Sequence, residues 1–344
     1  MSATPDTVLA RPTRAFELDA FGGPEVLKLV ERPTQPPGRG EMLVDVEAAG
    51  VNFGDVMIRR GEYLRDQPLS MAPGCEAVGR VALAGEGADI APGTRVAAWV
   101  EAGGAYASRV IAPAGRVYPV PEDVPAAAIV AVFFQGTTAD FALHRYGRLS
   151  SDETVLVHGA AGGVGGLAVQ LAKHDGARVV ATASSAEKRE IAREHGADVV
   201  LDSADPDALL DRLMEATDGH GCDVVVDGVG GPMFEPSLRA LAFGGRYVIA
   251  GSASQQPAML DARRLLPRAQ TVCGFILARI SEEDPGEPAR TLLRLCDLVR
   301  EGALKPRCET LPLERAPEVH LSIENRTLAG KVVLNPDPNG GERA

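Results

Sequence analysis

Between Thr154 and His174 the chain passes from a short buried-type strand, Thr154-Val155-Leu156-Val157, through His158-Gly159-Ala160-Ala161-Gly162-Gly163-Val164-Gly165-Gly166 into a helical stretch, Leu167–His174. A glycine-rich turn directly after a buried strand and directly before a helix brings bare backbone N–H groups and a helix N-terminus against a pyrophosphate. The spacing, Gly159-x-x-Gly162-x-x-Gly165, departs from G-x-G-x-x-G. The physical requirement is the same, because the glycines turn the backbone tightly and let it approach the phosphates. This segment commits the middle of the chain to alternating strands and helices around a dinucleotide.

The surrounding sequence agrees. Asp198-Val199-Val200-Leu201, Asp223-Val224-Val225-Val226, Arg178-Val179-Val180-Ala181 and Arg246-Tyr247-Val248-Ile249 are near-continuous Val/Ile/Leu runs with Ala-rich helical stretches between them. Such runs signal a parallel sheet covered on both faces. Before about residue 125 the texture is different: alternating segments at Met42–Glu47, Gly79–Leu83 and Thr94–Val100 lie between turns such as Gly22-Gly23-Pro24, Pro36-Pro37-Gly38 and Ala91-Pro92-Gly93. That pattern reads as a β-rich unit. Beyond the parallel sheet come one more apolar strand, Thr271–Leu277, an amphipathic helix around Ala289–Glu301, and a last strand, Gly330–Leu334, which is expected to rejoin the first domain. A chain of 344 residues suits two such domains.

Composition narrows the classes. A net charge of −12 argues against nucleic acid or an anionic membrane as partner. No run of about 18 uninterrupted apolar residues is present, so no membrane span is expected. Met1–Thr13 reads as a disordered tail rather than a signal peptide. The five cysteines, Cys75, Cys222, Cys273, Cys296 and Cys308, are scattered, with no C-x-x-C pair and no His/Cys cluster. Neither a disulfide framework nor a structural zinc site is expected, and a reducing cytoplasm suits the chain.

The end of the second strand of the parallel sheet selects the dinucleotide. An NAD site places Asp or Glu there for the ribose hydroxyls. Here Ala183 stands eighteen residues past Gly165, within Thr182-Ala183-Ser184-Ser185-Ala186-Glu187-Lys188. Two hydroxyls and a lysine suit a 2′-phosphate, so NADPH is the expected cofactor. The other reading of Lys188 is an ordinary surface lysine.

With these segments in view the chain resembles the medium-chain dehydrogenase/reductase superfamily, specifically its zinc-free quinone oxidoreductase (zeta-crystallin-like) branch. The resemblance is carried by Phe21-Gly22-Gly23-Pro24-Glu25-Val26-Leu27, Gly50-Val51-Asn52-Phe53-Gly54-Asp55, Gln135-Gly136-Thr137-Thr138, the phosphate loop, Asp227-Gly228-Val229-Gly230-Gly231 and Arg326–Leu334. It covers the chain from about Arg14 to Pro336. It implies an α/β fold: a Rossmann doubly wound parallel sheet over 132–275, with 1–131 and 276–344 forming a GroES-like β-rich catalytic domain. It also implies a homodimer, and hydride transfer in a cleft between the two domains.

Cofactor contacts follow from the same resemblance. Ala161, Gly162, Gly163 and Val164 are to meet the pyrophosphate, and Ser184 and Lys188 the 2′-phosphate. Gly228, Val229, Gly251 and Ser252 are to line the adenosine and nicotinamide-ribose side. Gly274, Phe275 and Leu277 are to meet the carboxamide, with Thr138, Arg326 and Lys331 near the cofactor. Ser203 stands where relatives often carry a Tyr packing near the adenosine phosphate.

The zinc enzymes of the superfamily need Cys and His ligands. Here the first position is Asn52, the Gly-His-Glu segment is Gly74-Cys75-Glu76, and the third region, Ala131–Phe134, is apolar. A three-ligand site with an open position is therefore not expected. Cys75 reads as a small buried residue, with a quinone-reactive thiolate as the alternative.

Without a Lewis acid, an electron-poor acceptor that takes hydride directly is the easier substrate, and the protein has to hold it in a dry slot. Asn52 is the orienting amide for an acceptor carbonyl or a cofactor hydroxyl. Asp55 supports the loop or acts as an acid. Tyr63 either donates to the substrate oxygen or simply packs. Phe53, Met57, Phe134 and Phe275 are the expected apolar walls.

The leading reading is a metal-independent NADPH-dependent reductase of quinones or similar activated carbonyl acceptors. The first alternative is reduction of the double bond of an enoyl thioester or enone, with Arg59, Arg60 and Arg65 as candidates to grip a phosphopantetheine or CoA. The second is a non-catalytic NADPH-binding protein. Tyr-x-x-x-Lys and Gly-x-Ser-x-Gly are both absent, which removes short-chain reductases and nucleophile-elbow hydrolases.

Overall fold

The computed structural model describes residues 4–63, 72–100, 102–284 and 286–337. The chain divides into two compact units, one running up to Phe133 and resuming at Cys308, the other spanning Phe134–Arg307.

The first unit is β-rich. Strands β1 (Thr13–Leu18) and β2 (Leu27–Arg32) form an antiparallel pair. They are followed by β3 (Glu41–Gly50), β4 (Glu76–Ala84), β5 (Arg95–Trp99), β6 (Arg109–Pro113) and β7 (Val117–Pro119). The second unit supplies β8 (Thr154–Val157), β9 (Arg178–Ala183), β10 (Val199–Asp202), β11 (Cys222–Asp227), β12 (Leu241–Ile249) and β13 (Thr271–Gly274). The chain then returns to the first unit with β14 (Cys308–Pro312) and β15 (Lys331–Asn335).

In the first unit the sheet order is β14-β15-β3-β4-β5-β7, with β6 also paired to β3. Strand β3 is long enough to serve both neighbours: Glu41–Asp45 face β6, while Ala49 and Gly50 face β15. Alternate residues Met42, Val44 and Val46 enter a core with Phe16, Val81, Val96, Val110, Val332 and Leu334, as the two-residue period of a strand requires.

In the second unit every pair is parallel and the order is β10-β9-β8-β11-β12-β13. The sheet reverses direction of growth between β8 and β11, the switch point at which such sheets bind ligands beyond their strand ends. Among the described residues one helix, Ala126–Tyr146, is long and apolar enough to cross a membrane by composition, but 67% of its apolar window is buried inside the protein. It reads as a core helix.

Three expectations are corrected. Residues 4–13 are not a loose tail: Pro5–Leu9 is helical with Val8 buried, and the Arg109 guanidinium donates to the carbonyls of Val8 (2.6 Å) and Arg11 (3.2 Å). The run Thr271–Leu277 is strand only to Gly274, and Leu277 opens the helix Leu277–Glu283. The second unit extends past 275 to Arg307. The reason is packing: Phe275 stacks on Tyr146 at 4.8 Å, and Arg294 and Glu287 pair with Asp140 and Arg145.

Arg109 is 3% exposed and also pairs with Asp45 at 2.7 Å. Arg109→Ala is expected to cost about 2 kcal/mol, the scale for leaving buried hydrogen-bond acceptors unsatisfied, and to open the segment before Thr13 to limited proteolysis. Unchanged stability with no new cleavage would show that other contacts hold this segment.

Candidate functional site

In the second unit the loops that follow the strands lie along one edge of the sheet. The registers Val157↔Ala181, Val226↔Val157, Asp227↔Ile249 and Ile249↔Gly274 align the C-terminal ends of β8, β9, β11, β12 and β13. The segments leaving them carry Ala161–Val164, Ser184, Gly228–Val229, Gly251–Ser252 and Phe275–Leu277, so these of the residues expected at the cofactor share this edge, while Asn52, Arg326 and Lys331 belong to the first unit.

The phosphate loop is shaped by its glycines. Gly159 has φ +64°, a region that disfavours a Cβ. A Cβ on Gly165 would collide with the carbonyl of Gly159 and the backbone of Ala160, so the helix Gly163–His174 can approach β8 only with glycine there. A Cβ at Gly228 would meet nothing within 4 Å, which leaves open space over this turn.

Buried polar bonds set both loops from below. His158 Nδ1 lies 2.9 Å from Thr182 Oγ1 and Nε2 2.8 Å from Ser237 Oγ. Burial holds its pKa below the usual histidine value, with Asp227 opposing, so the ring is neutral at pH 7. Asp227 Oδ1 accepts from the N–H groups of Val229 (2.8 Å) and Gly230 (2.9 Å), and Oδ2 from the Tyr247 hydroxyl (2.6 Å).

At the end of β9, Ser185 caps the helix Ala186–Glu194, its Oγ accepting from Lys188 N at 3.2 Å. Ser184 is exposed beside it, and Lys188 lies half-buried on the first turn. Ser203 donates its N–H to Ala183 O at 3.2 Å. Thr138 is buried, its hydroxyl bonded to Phe134 O at 2.8 Å.

The first unit holds a second constellation. Strands β3 and β15 pair at Gly50↔Val333, and Val51 N–H donates to Val332 O at 3.1 Å. This brings the start of β15 beside Asn52, and the β3–β4 register brings Glu76 to the same place. Lys331 Nζ donates to Asn52 Oδ1 (2.8 Å) and Glu76 Oε1 (2.5 Å), and Asn52 Nδ2 donates to Glu76 Oε1 (2.8 Å). Lys331, expected near the cofactor, therefore directs its ammonium inward to Glu76 and Asn52.

Asp55 completes the loop. Its Oδ2 accepts from Asn52 N (2.8 Å) and from the Tyr106 hydroxyl (3.0 Å), and Tyr106 lies 3.1 Å from His320 Nε2. Burial, reinforced by Arg59, pushes His320 down to about 3, so it is neutral, and its Nε2–H donates to the Tyr106 oxygen. Burial pushes the Asp55 carboxyl up to about 6, while the Asn52 N–H, Lys331 and Tyr106 pull against it. Asp55 is thus fully enclosed, which fits the loop-supporting reading.

On the helix Phe53–Arg60, Phe53 and Met57 share a half-buried face, and the Tyr63 ring packs over Gly54. Phe134 and Phe275 belong to the second unit, and Phe275 packs on Tyr146 and Phe141. Arg326 is exposed with φ +56°.

Arg59 cannot form a surface patch: it is fully buried and paired with Glu324. Arg60 pairs with Glu62 and Glu324, and Arg65 lies outside the described residues. Sequence reasoning missed Tyr106, His320 and the pairing of Glu76. The available signal was a carboxylate opening an apolar strand and a lysine opening another, each of which demands a partner once buried.

Two family models match the chain: the alcohol dehydrogenase GroES-like domain over residues 38–122 and the zinc-binding dehydrogenase over 163–292. The synaptic vesicle membrane protein VAT-1 homolog of Rattus norvegicus is 31% identical, covering 96% of this chain and 85% of its own length. The quinone oxidoreductase of Rattus norvegicus is 30% identical over 95% of this chain and 98% of its own. Among solved structures, Escherichia coli quinone oxidoreductase complexed with NADPH aligns with a TM-score of 0.88 at 32% identity, covering 94% of this chain and 100% of that one.

Zinc, which one of these descriptions names, does not fit the side chains around Asn52. Burial and the carboxylates of Asp55 and Glu76 push the Cys75 thiol well up, so it is protonated at neutral pH. Glu76 already holds Lys331 and Asn52. Phe133 is buried against Trp99 and Tyr118. Among the described residues no group of three His, Cys, Asp or Glu side chains is placed to hold a metal.

The raised Asp55 pKa has a thermodynamic sign. The folded protein binds this proton more tightly than the unfolded chain, whose Asp titrates near 3.9. Stability contributed by Asp55 is therefore lost as pH rises from about 4 to about 6, by about 3 kcal/mol in all. Urea unfolding of wild type and Asp55→Asn at about pH 4 and about pH 7 checks this. The variant is expected to lose that slope, and equal slopes would refute the assignment.

Proposed function

The chain belongs to the quinone oxidoreductase family of medium-chain dehydrogenases/reductases, and from that premise we propose that it is an NADPH-dependent, zinc-independent reductase of quinones or similarly activated carbonyl acceptors. The observation that carries the reading is the joint presence of a glycine loop built for a pyrophosphate and an Asn52 amide held rigidly by charged partners.

NADPH, when bound, supplies a hydride. The N–H groups at the start of the helix Gly163–His174 face the pyrophosphate, an anion at a helix N-terminus. Ser184 and Lys188 hold the 2′-phosphate, while Gly228, Val229, Gly251 and Ser252 line the adenosine and ribose, with open space over Gly228. Asn52 orients the acceptor carbonyl. Asp55 fixes the Asn52 backbone rather than exchanging a proton with substrate, and the proton comes from solvent. Such a division suits an acceptor whose anion is stabilised by resonance, because no general acid need be positioned at the instant of hydride transfer.

The chain is proposed to act as a homodimer in a reducing compartment, the cytoplasm. Strand β13 ends the parallel sheet, and Phe243, Met259 and Leu266, each more than three-quarters exposed, lie on segments joined to it. An exposed sheet edge beside apolar side chains favours self-association. Light scattering is expected to give twice the chain mass, and a monomer would overturn this assignment.

The activity is tested by the 340 nm decay of NADPH with 1,4-naphthoquinone, beside NADH and a blank. Saturable, NADPH-preferring turnover is expected. Lys188→Ala should raise the KM for NADPH about tenfold or more, as for loss of one charge-assisted hydrogen bond, with NADH little affected. Turnover restricted to enones or enoyl thioesters would reassign the acceptor to a conjugated double bond. Tight NADPH binding without turnover on any acceptor would make the chain a non-catalytic nucleotide binder.

A further inference from the structure

Lys331 and Glu76 are 1% and 0% exposed in their side chains, and the ammonium sits 2.5 Å from the carboxylate. Burying such a pair carries a large desolvation cost, which a pair of apolar residues would avoid. Simple charge balance does not account for the rest of the geometry. Lys331 also donates to Asn52 Oδ1, and Asn52 Nδ2 donates to the same Glu76 oxygen that Lys331 contacts. The three side chains form a closed ring of hydrogen bonds.

A ring of this kind admits one orientation of the amide. Flipped, Asn52 would turn its NH2 group toward an ammonium, which has no acceptor, and its carbonyl toward a carboxylate, which has no donor. Both bonds would become repulsive contacts. The backbone is shaped for the arrangement: a Cβ at Gly50 would collide with the Glu76 carboxylate and the Val130 side chain. Glu76 opens β4, Lys331 opens β15, and Asn52 lies two residues past the end of β3 as the N-cap of the helix Phe53–Arg60.

We infer that Lys331 is a positioning residue that, with Glu76, fixes which way the Asn52 amide faces the acceptor. This rests on the reading of Asn52 as the orienting amide. Lys331 acts through Asn52 and touches no reacting atom. Its ammonium sits beside the very side chains that fail as zinc ligands, so the internal cation in this loop is a fixed part of the chain.

The test is a double-mutant cycle on kcat/KM for naphthoquinone at saturating NADPH, with melting temperature recorded for each protein. The proteins are wild type, Asn52→Ala, Lys331→Met, the Asn52→Ala/Lys331→Met double variant, and Glu76→Gln/Lys331→Met. Asn52→Ala is expected to lose about a hundredfold, the usual scale for one preorganised donor. Lys331→Met should lose a similar factor, and the double variant no more than the larger single loss, the signature of residues acting as a unit. Glu76→Gln/Lys331→Met removes both charges together, so it should recover the melting temperature but not kcat/KM.

Multiplying losses in the double variant, or recovery of both stability and kcat/KM in Glu76→Gln/Lys331→Met, would overturn the inference while leaving Asn52 its role. An Asn52→Ala protein as active as wild type would remove the reading of Asn52 and the inference with it.

Discussion

The antiparallel contact between β15 and β3 carries the organisation of the first unit. It joins residues almost three hundred positions apart in sequence through two aligned pairs, Val333↔Gly50 and Leu334↔Ala49, and one bond from Val51 to Val332. Without it, Lys331 has no carboxylate and Glu76 no cation. Each would then be an unpaired charge in an apolar interior, a far greater penalty than the loss of a few backbone bonds. The apolar residues flanking the contact, Val332 and Leu334, enter the same core as Met42 and Val44, so burial of hydrocarbon offsets the burial of charge. The polar ring around Asn52 and the hydrophobic core of the unit therefore form together.

The second unit solves a different problem. A parallel sheet delivers its loops to one edge, but a loop able to admit a pyrophosphate must be bare of side chains and so has little to hold it. Here the support comes from beneath. Asp227 takes two backbone N–H groups of its own turn, and Tyr247 closes its other oxygen. His158 ties the start of the phosphate loop to Thr182 of the neighbouring strand and to Ser237. Kept neutral by burial, His158 offers one donor and one acceptor and adds no charge beneath the loop.

What the sequence made legible follows from range. The strands of the parallel sheet and the glycine loop were readable because periodicity and turn chemistry are local, and Asn52 and Asp55 lie in one short segment. The helix Leu277–Glu283 was misread because Phe275, Ile276 and Leu277 continue an apolar run whose strand character ends only when Phe275 turns onto Tyr146. The order of the N-terminal segment depends on Arg109, about a hundred residues away. Arg59 is a candidate in sequence to grip a phosphopantetheine or CoA, since nothing near it announces that it is buried and paired with Glu324. Tyr106 and His320 are equally silent, and Lys331, expected near the cofactor, acquires its actual role only from Glu76 and Asn52 on other segments.

The electrostatics around Asn52 bear on the kind of chemistry the unit can support. Among the described residues the ionisable groups there are engaged: Lys331 with Glu76, Asp55 with Tyr106 and the Asn52 backbone, Tyr106 with His320, and Cys75 with the Asn52 amide. Cys75 and Tyr106 are held protonated by burial, and His320 is held neutral. Of these shifted groups only Asp55 titrates near neutrality, and its oxygen Oδ2 is taken up by two donors. A site so arranged is poor at delivering a proton in concert with a reaction and good at keeping a dipole fixed. Preorganised dipoles stabilise charge that develops on an acceptor oxygen without reorganising as it forms. In the proposed reaction that is the demand made by hydride addition to a quinone, in which the negative charge is delocalised and protonation can follow in solvent. An alcohol substrate would instead require the site to remove a proton before or during hydride loss, and among the described residues none of the groups around Asn52 is arranged to take it.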